Sequence, residues 1–373
     1  MDTHTFLRSV AHRQDGVVTH GQALAAGVPE HEIGTLCLTG RWVPLAELVY
    51  SVDRSVVVSR RARVRAAVLS LGPGAVAVLE TAAELHGMAG PQVTDTIYVA
   101  VRSATGSRGR RGMPPGRLPM GGHAAAPAPH AGPPGPRSAD PAGLRPATRN
   151  GGTSPRPHRP GPASRVLAPA VGGARLQVMR GPIAPHEVHA VAGIAVTSPV
   201  RTAADLLLRL PRYPAVAMLD DGLHRGLLTA EALAGVPAMI TGRTGAPAAR
   251  RHIAEADGRA QSPLETRVRL RCADGGLVPD ELQHVVREPD GHILAVADLA
   301  WLRAGVLAEA DGIGPHEGPD AVYSDRWRQN SLANAGWRVL RFTWTDTLRA
   351  DYIPSQVRAA LSCPVGPITA AGR

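Results

Sequence analysis

The sequence predicts an α+β multidomain protein, and three observations carry that expectation. At 373 residues the chain is long enough for two or three domains, taking roughly 150 residues per domain. Segments of helical periodicity and segments that alternate like strands occur on both sides of a Pro/Gly-rich stretch at 103–170. Apolar residues make up 44% of the chain, enough for packed cores.

Several classes are disfavoured. No apolar run approaches the ~18 residues of a membrane-spanning helix. Met1 to Asp15 carries charges and no hydrophobic block, which argues against a secretory signal. Cys37, Cys272 and Cys363 lie far apart and form no C-x-x-C pair, so neither a zinc ribbon nor a disulfide framework is expected. A reducing cytoplasm is the expected location. All 41 basic side chains are arginine, so no lysine can act in an active site. The formal charge of +10 suggests an anionic partner such as nucleic acid. Its distribution is uneven. Ser103 to Ala170 holds ten arginines and one acid, with 15 Pro and 12 Gly, leaving the other 305 residues a net charge of +1. Such a composition cannot bury enough apolar surface to offset its ordering entropy, so disorder is expected there. The stretch is either a solvated insertion or an arm that neutralises phosphates.

The N-terminal elements come first. Thr5 to Arg13 has a helical pattern. Gly16-Val17-Val18-Thr19 is expected as a turn, with Thr19 as N-cap of a helix over His20–Ala26. Gly27 ends that helix, Pro29 opens the next as its first residue, and Glu30–Leu38 follows, stopped by Gly40. Arg41 to Pro44 and Leu48 to Tyr50 are expected as the two strands of a wing. Short helices joined at a glycine and followed by a ribbon form a winged helix-turn-helix pattern. On that pattern His31 and Thr35 lie on the recognition helix and Arg41 at the wing, all candidates for nucleic-acid contact. The competing use is a small helical domain for protein contacts, because Glu30 and Glu32 dilute the helix.

This stretch resembles the N-terminal winged-helix region of AbiEi-type antitoxins, regulators of type IV toxin–antitoxin systems. The resemblance rests on Gly16 to Thr19, Ala23 to Val28, Gly40-Arg41-Trp42 and Val49-Tyr50, with Leu48 standing where the family has a glycine. It implies DNA as a partner, and a toxin protein as a second one.

In the middle region Ala62–Leu71 is expected as an amphipathic helix closed by Gly72-Pro73-Gly74, and Leu79–His86 as a second closed by Gly87. Thr96–Val101 and Arg175–Met179 alternate like strands, which makes 103–170 an enlarged loop between them. Residues 193–210 and 215–233 are expected as helices, the last capped by Thr229. V-T-x-P-x-R-T-x-x-D-L at Val196 to Leu206 resembles the companion region of the same antitoxins, and Arg201 and Asp205 are spaced to pair on one helix face.

The C-terminal region carries the chemistry. Ser262-Pro263-Leu264-Glu265 opens a helix, with Ser262 as N-cap and Glu265 as the capping-box residue. Residues 292–301 and 305–312 read as strands joined at Arg303-Ala304. With a two-residue loop Leu302 faces Gly305, and Asp298 lies across from Glu309 with Asp311 on the same face. A three-residue loop would slip the parity and separate them. Three carboxylates converging there require a cation or raised pKa values. Mg²⁺ (or Mn²⁺) suits them, being hard and content with one or two carboxylates plus water. Pro319–Ala333 is expected as a helix bearing Asp325, Arg328 and Gln329, residues 337–344 as a buried strand, and 355–361 as a last helix.

This region resembles the DUF559 family and, more distantly, very-short-patch-repair endonucleases, both of the PD-(D/E)XK nuclease fold. The matching residues are S-P-L-E at 262–265, V-x-D-L-A-W at 296–301, E-x-D-G at 309–312, and D-x-x-R-x-x-x-L-x-x-x-G-W-x-V-L-R-F from Asp325 to Phe342. The resemblance implies a restriction-endonuclease-like α/β domain with Asp298 and Glu309 as metal ligands and Glu265 as an auxiliary carboxylate. Asp311 stands where many members have lysine, and His316 matches the histidine that commonly follows E-x-D-G. Arg328 is either a phosphate contact or the helix partner of Asp325.

The expected organisation is a winged helix over 1–58, a mixed α/β middle region over 59–102 and 171–245, the insertion 103–170, a linker 246–260, the nuclease-like domain 261–363 and a tail 364–373. The expected function is Mg²⁺-dependent phosphodiester hydrolysis on DNA. The competing expectation is a non-catalytic antitoxin-like regulator with a degenerate nuclease fold.

Overall fold

A computed structural model describes residues 3–52, 58–102, 166–312 and 319–363, as helices and three β-sheets. The arginine-rich stretch up to residue 165, His316 and the side chain of Asp325 lie outside the described residues.

The N-terminal elements are α1 (Thr3–Arg13), β1 (Val17–Thr19), α2 (His20–Ala25), α3 (Glu30–Leu38), β2 (Val43–Ala46) and β3 (Val49–Ser51). Val17–Thr19, expected as part of a turn, is a strand antiparallel to β3. Two buried β-branched residues, Val17 and Val18, favour that extended backbone. Thr19 then caps α2 in a reciprocal box with Gln22. Pro29 is the N-cap of α3 rather than its first residue, with ψ of 149°. The sheet order is β1–β3–β2, and Leu7, Val10, Val18, Ile33, Leu36 and Trp42 form the core beside it.

The middle elements are α4 (Arg60–Ser70), β4 (Ala75–Ala77), α5 (Leu79–His86), β5 (Thr96–Arg102), β6 (Val166–Val171), β7 (Ala174–Gly181), β8 (Val188–Val191), β9 (Ile194–Thr197), α6 (Pro199–Leu207), α7 (Arg212–His224), α8 (Ala230–Met239) and α9 (Ala246–Ala254). The six strands form one mixed sheet, ordered β6–β7–β5–β4–β9–β8. Its faces separate by alternation. Ile97, Val99, Ile194 and Val196 pack with α4, whereas Val76 and Ala100 pack with α6 and α7. Three expectations change. The stretch expected as one loop over 103–170 between Thr96–Val101 and Arg175–Met179 does not lead straight into the second strand, because residues 166–170 belong to β6, which pairs antiparallel with β7. Residues 194–197, expected within a helix, form β9, and α6 starts only after the Ser198 cap. Residues 246–260 are no simple linker, since Ala246 and Ala249 of α9 are buried in the core with Leu206 and Leu219.

The C-terminal elements are α10 (Pro263–Asp274), β10 (Glu281–Arg287), β11 (Ile293–Trp301), β12 (Val306–Ala310), α11 (Pro319–Asn334), β13 (Arg338–Phe342), α12 (Trp344–Thr347) and α13 (Tyr352–Ser362). The sheet order is β10–β11–β12–β13, with β12 and β13 parallel and the other pairs antiparallel. Leu264, Val268, Ile353 and Val357 of α10 and α13 pack with Leu299, Ala308 and Phe342, while Leu332 of α11 packs with Ala297, Ala300 and Leu307. Helices therefore cover both faces. The described residues cluster as one unit. Its middle and C-terminal regions meet where α7 lies on α10. There the buried Asp220 accepts from Thr266 Oγ1 at 2.7 Å, Arg269 at 2.8 Å and the Asp257 amide at 2.7 Å.

Candidate active site

The hairpin of β11 and β12 positions the site. Its connection is not the expected two-residue loop: a 3₁₀ turn covers Leu302–Ala304, and Gly305 follows with φ of +60°. Four residues have the same parity as two, so Trp301 still faces Val306 and Leu299 faces Ala308. One step further on, Asp298 lies across from Glu309.

The side chains of this pair nevertheless take different partners. Asp298 accepts the Ala310 amide on Oδ2 at 2.7 Å and the Gln283 side-chain amide on Oδ1 at 3.3 Å. The same Gln283 nitrogen donates to Glu265 Oε2 at 2.9 Å. One primary amide thus joins two carboxylates that α10 and β11 bring together. Burial pushes the Asp298 carboxyl up to about 6, the Ala310 amide pulls against that, and the nearby charge of Glu265 adds to the rise. Ser262 caps α10 as expected, but Glu265 reaches back to the Gln261 amide rather than to the cap residue's own.

Glu309 sits among cations. Arg341, its parallel partner on β13, lies 3.1 Å from Oε2, and Arg328 of α11 lies 3.4 Å from the same oxygen. Its Oε1 is buried and has no hydrogen-bond partner among the described residues. Asp311 continues past β12 with its amide donating to Phe342 O at 2.8 Å, and its carboxylate makes none of these contacts. The expected convergence of Asp298, Glu309 and Asp311 is therefore replaced by two linked groups, Asp298–Gln283–Glu265 and Glu309–Arg341–Arg328. Like charges placed across a strand pair repel, and each carboxylate instead has donors within reach. Arg328 acts on both groups, since its charge also pulls on the Asp298 carboxyl. Among the described residues no group of three or more His, Cys, Asp or Glu side chains is arranged to hold a metal ion.

Gln283 is not marked by sequence pattern, because ELQHVVR shows no clean alternation. Its backbone marks it: φ is +53°, a left-handed value that costs a non-glycine residue free energy. In the β10–β11 register Leu282 faces Leu299 and His284 faces Ala297, which sets Gln283 across from Asp298.

At the N-terminal end His31, Thr35 and Arg41 are exposed, as a nucleic-acid surface requires. Thr35 Oγ1, however, donates to the His31 carbonyl at 3.0 Å. Leu38 at the end of α3 is 90% exposed.

No protein-family model matches the chain. Two uncharacterized proteins of Mycobacterium tuberculosis, MT2308 of strain CDC 1551 / Oshkosh and Rv2248 of strain ATCC 25618 / H37Rv, are each 33% identical to it over 159 residues. The match covers 43% of this chain and 58% of each relative, so the chain spans less than two thirds of their length. No described helix is long and apolar enough to cross a membrane.

Proposed function

We propose that this chain is a cytoplasmic DNA-binding protein whose C-terminal region is a PD-(D/E)XK-like, metal-dependent endonuclease. The observation that carries the reading is the Asp298–Gln283–Glu265 cluster on a strained strand, facing a Glu309 whose Oε1 is buried and unpartnered. Active sites concentrate such strain and such raised carboxyl pKa values.

The donor set suits a hard divalent cation. All candidate ligand atoms are carboxylate oxygens, and Mg²⁺ needs only one or two of them because it keeps several waters. Asp298 and Glu309 would hold it. When bound, the ion polarises a phosphodiester and lowers the pKa of the attacking water. Glu265, fixed by the Gln261 amide and the Gln283 side chain, is placed to accept a proton beside Asp298. Arg328 and Arg341 supply positive charge on the Glu309 side, where phosphate charge develops.

The N-terminal α1–α3 with the β1–β3–β2 sheet supports the winged-helix reading. His31, Thr35 and Arg41 would contact DNA there, with a toxin protein as the alternative occupant. A second functional reading has its own support. Glu309 already has two guanidiniums within 3.4 Å of one carboxylate oxygen, which favours a non-catalytic regulator with a nuclease-derived fold.

One experiment separates the readings. Purified protein is expected to nick supercoiled plasmid with Mg²⁺ or Mn²⁺ but not with EDTA, and Asp298→Ala to abolish the nicking. Equal nicking by the variant removes the catalytic assignment. DNA binding without cleavage establishes the regulator instead.

A further inference from the structure

Among the described residues, several buried or half-buried arginines face a carboxylate: Arg60 meets Glu84, Arg65 Asp15, Arg201 Glu187, Arg212 Glu255 and Arg269 Asp220. Arg267 on α10 does not. Its guanidinium carbon lies 4.3 Å from the Tyr213 ring centroid and 5.3 Å from that of Trp344, and its Nε is buried without a hydrogen-bond partner. Arg271, one helical turn further on, lies 5.1 Å from the same Tyr213 ring and, among the described residues, donates to the Thr347 carbonyl. A carbonyl satisfies hydrogen bonds but leaves the charge unbalanced. Burial and the charge of Arg271 together hold the Arg267 pKa below its ordinary value. The nearest carboxylate on this ring, Asp274, accepts from the Tyr213 hydroxyl and is already held by Arg212, and two cations one turn apart repel in the free protein.

Beside them the Trp344 indole is 47% exposed, an unusual position for so large a ring. A flat exposed ring next to an unbalanced guanidinium pair matches a ligand that is itself a ring joined to an anion. Nucleic-acid strands have that repeat, with bases stacking on aromatics and phosphates meeting arginine. Arg267 follows Glu265 by two positions, about 200° around the helix, so this surface faces away from the carboxylate cluster.

We propose that a single nucleic-acid strand binds at the surface formed by Arg267, Arg271 and Trp344. One base stacks on the Trp344 indole and the adjoining phosphate meets the two guanidiniums. The contact lies on strand flanking the cleavage position rather than on the scissile bond. The ligand class rests on the nucleic-acid reading above, but the site does not require cleavage.

The test uses the full chain in EDTA, where no metal-dependent hydrolysis occurs. Fluorescence anisotropy measures binding of a labelled oligothymidylate and of an abasic strand of equal length. Wild type is expected to bind the abasic strand about 10-fold more weakly, the usual size of one base stack. Trp344→Ala brings the oligothymidylate to the abasic level and leaves abasic binding unchanged. Arg267→Gln weakens both strands and lowers the salt slope by about the amount of one neutralised phosphate. Equal binding of the two strands by wild type overturns the proposal without any variant, as does absence of binding or an unchanged slope for Arg267→Gln. Equal weakening of both strands by Trp344→Ala also overturns it, because that loss would not be stacking. Plasmid nicking that persists while these affinities do not respond removes this site and keeps the nuclease. Responsive strand binding without nicking does the reverse.

Discussion

Gln283 and Leu48 both have a positive φ, +53° and +55°, in different settings. Leu48 lies in the turn between β2 and β3, 58% exposed, with its carbonyl accepting from the His20 amide. Glycine is the residue such a turn prefers, and the leucine side chain has little packing to lose. Gln283 is strained where its amide joins Asp298 to Glu265. Glycine at position 48 relieves a left-handed residue and is expected to raise stability by about 1 kcal/mol, whereas at position 283 the same relief is offset by the loss of the two amide bonds. The two variants should part in activity. Leu48→Gly retains plasmid nicking, whereas Gln283→Gly lowers its rate about 10-fold or more because two carboxylates lose the group that positions them. Denaturant melts together with nicking rates decide this, and a fully active Gln283→Gly would make the strain at that position incidental.

At the scale of elements, two ionic clusters join parts that the sequence presents as separate. Asp15 follows α1 and accepts from Arg61 at 2.6 Å and Arg65 at 2.8 Å, both on α4. Burial disfavours its charged form, yet the two arginines outweigh burial and hold its carboxyl below the ordinary range. A depressed folded-state pKa contributes stability that is complete above the unfolded value of about 3.9 and is lost as pH falls through the folded one. The stability gap between wild type and Asp15→Asn is therefore expected to narrow on acidification below about pH 4. Urea titrations at neutral and acid pH measure it, and a constant gap would show that the arginines do not act through charge. Asp220 has the equivalent role between α7 and α10. It is 1% exposed, and its removal leaves Arg269 buried without its anion. Asp220→Ala is expected to cost about 3–5 kcal/mol, the usual consequence of breaking a buried pair. Local elements were legible because caps and periodicity are local: Thr19, Ser262 and Gly87 mark helix ends in the structure as in the sequence. The Asp298–Glu309 register was legible because parity depends only on whether a loop is odd or even. The partners of those carboxylates were not, because Gln283, Arg328 and Arg341 arrive from three other elements.

For the whole molecule, the charge of +10 is concentrated in one stretch of the sequence. Residues 103–165 contain all ten arginines and the single acid of the low-complexity stretch, so their removal leaves a formal charge of +1. Topology permits that removal. β5 is parallel to β7 and β6 antiparallel to it, with Val166 across from Val178 and Arg102 across from Gly181. The end of β5 and the start of β6 thus lie at the same end of the sheet, separated by one intervening strand. Two strand spacings of about 10 Å and a three-residue offset of about 10 Å separate the two ends by about 14 Å, which about six flexible residues span. A variant carrying such a linker in place of 103–165 is expected to keep the wild-type melting transition. Its DNA affinity then reports where phosphates are neutralised. If the arginines of the insertion do so, the slope of log affinity against log salt becomes shallower by about 0.9 for each phosphate of duplex DNA that the variant no longer neutralises. The expected result is a shallower slope with nicking retained, because the carboxylate cluster, Arg328 and Arg341 all lie outside the deleted stretch. An unchanged slope would place phosphate binding outside the deleted stretch, at Arg41 and the other exposed arginines, and would leave the charge of the insertion without a part in recognition.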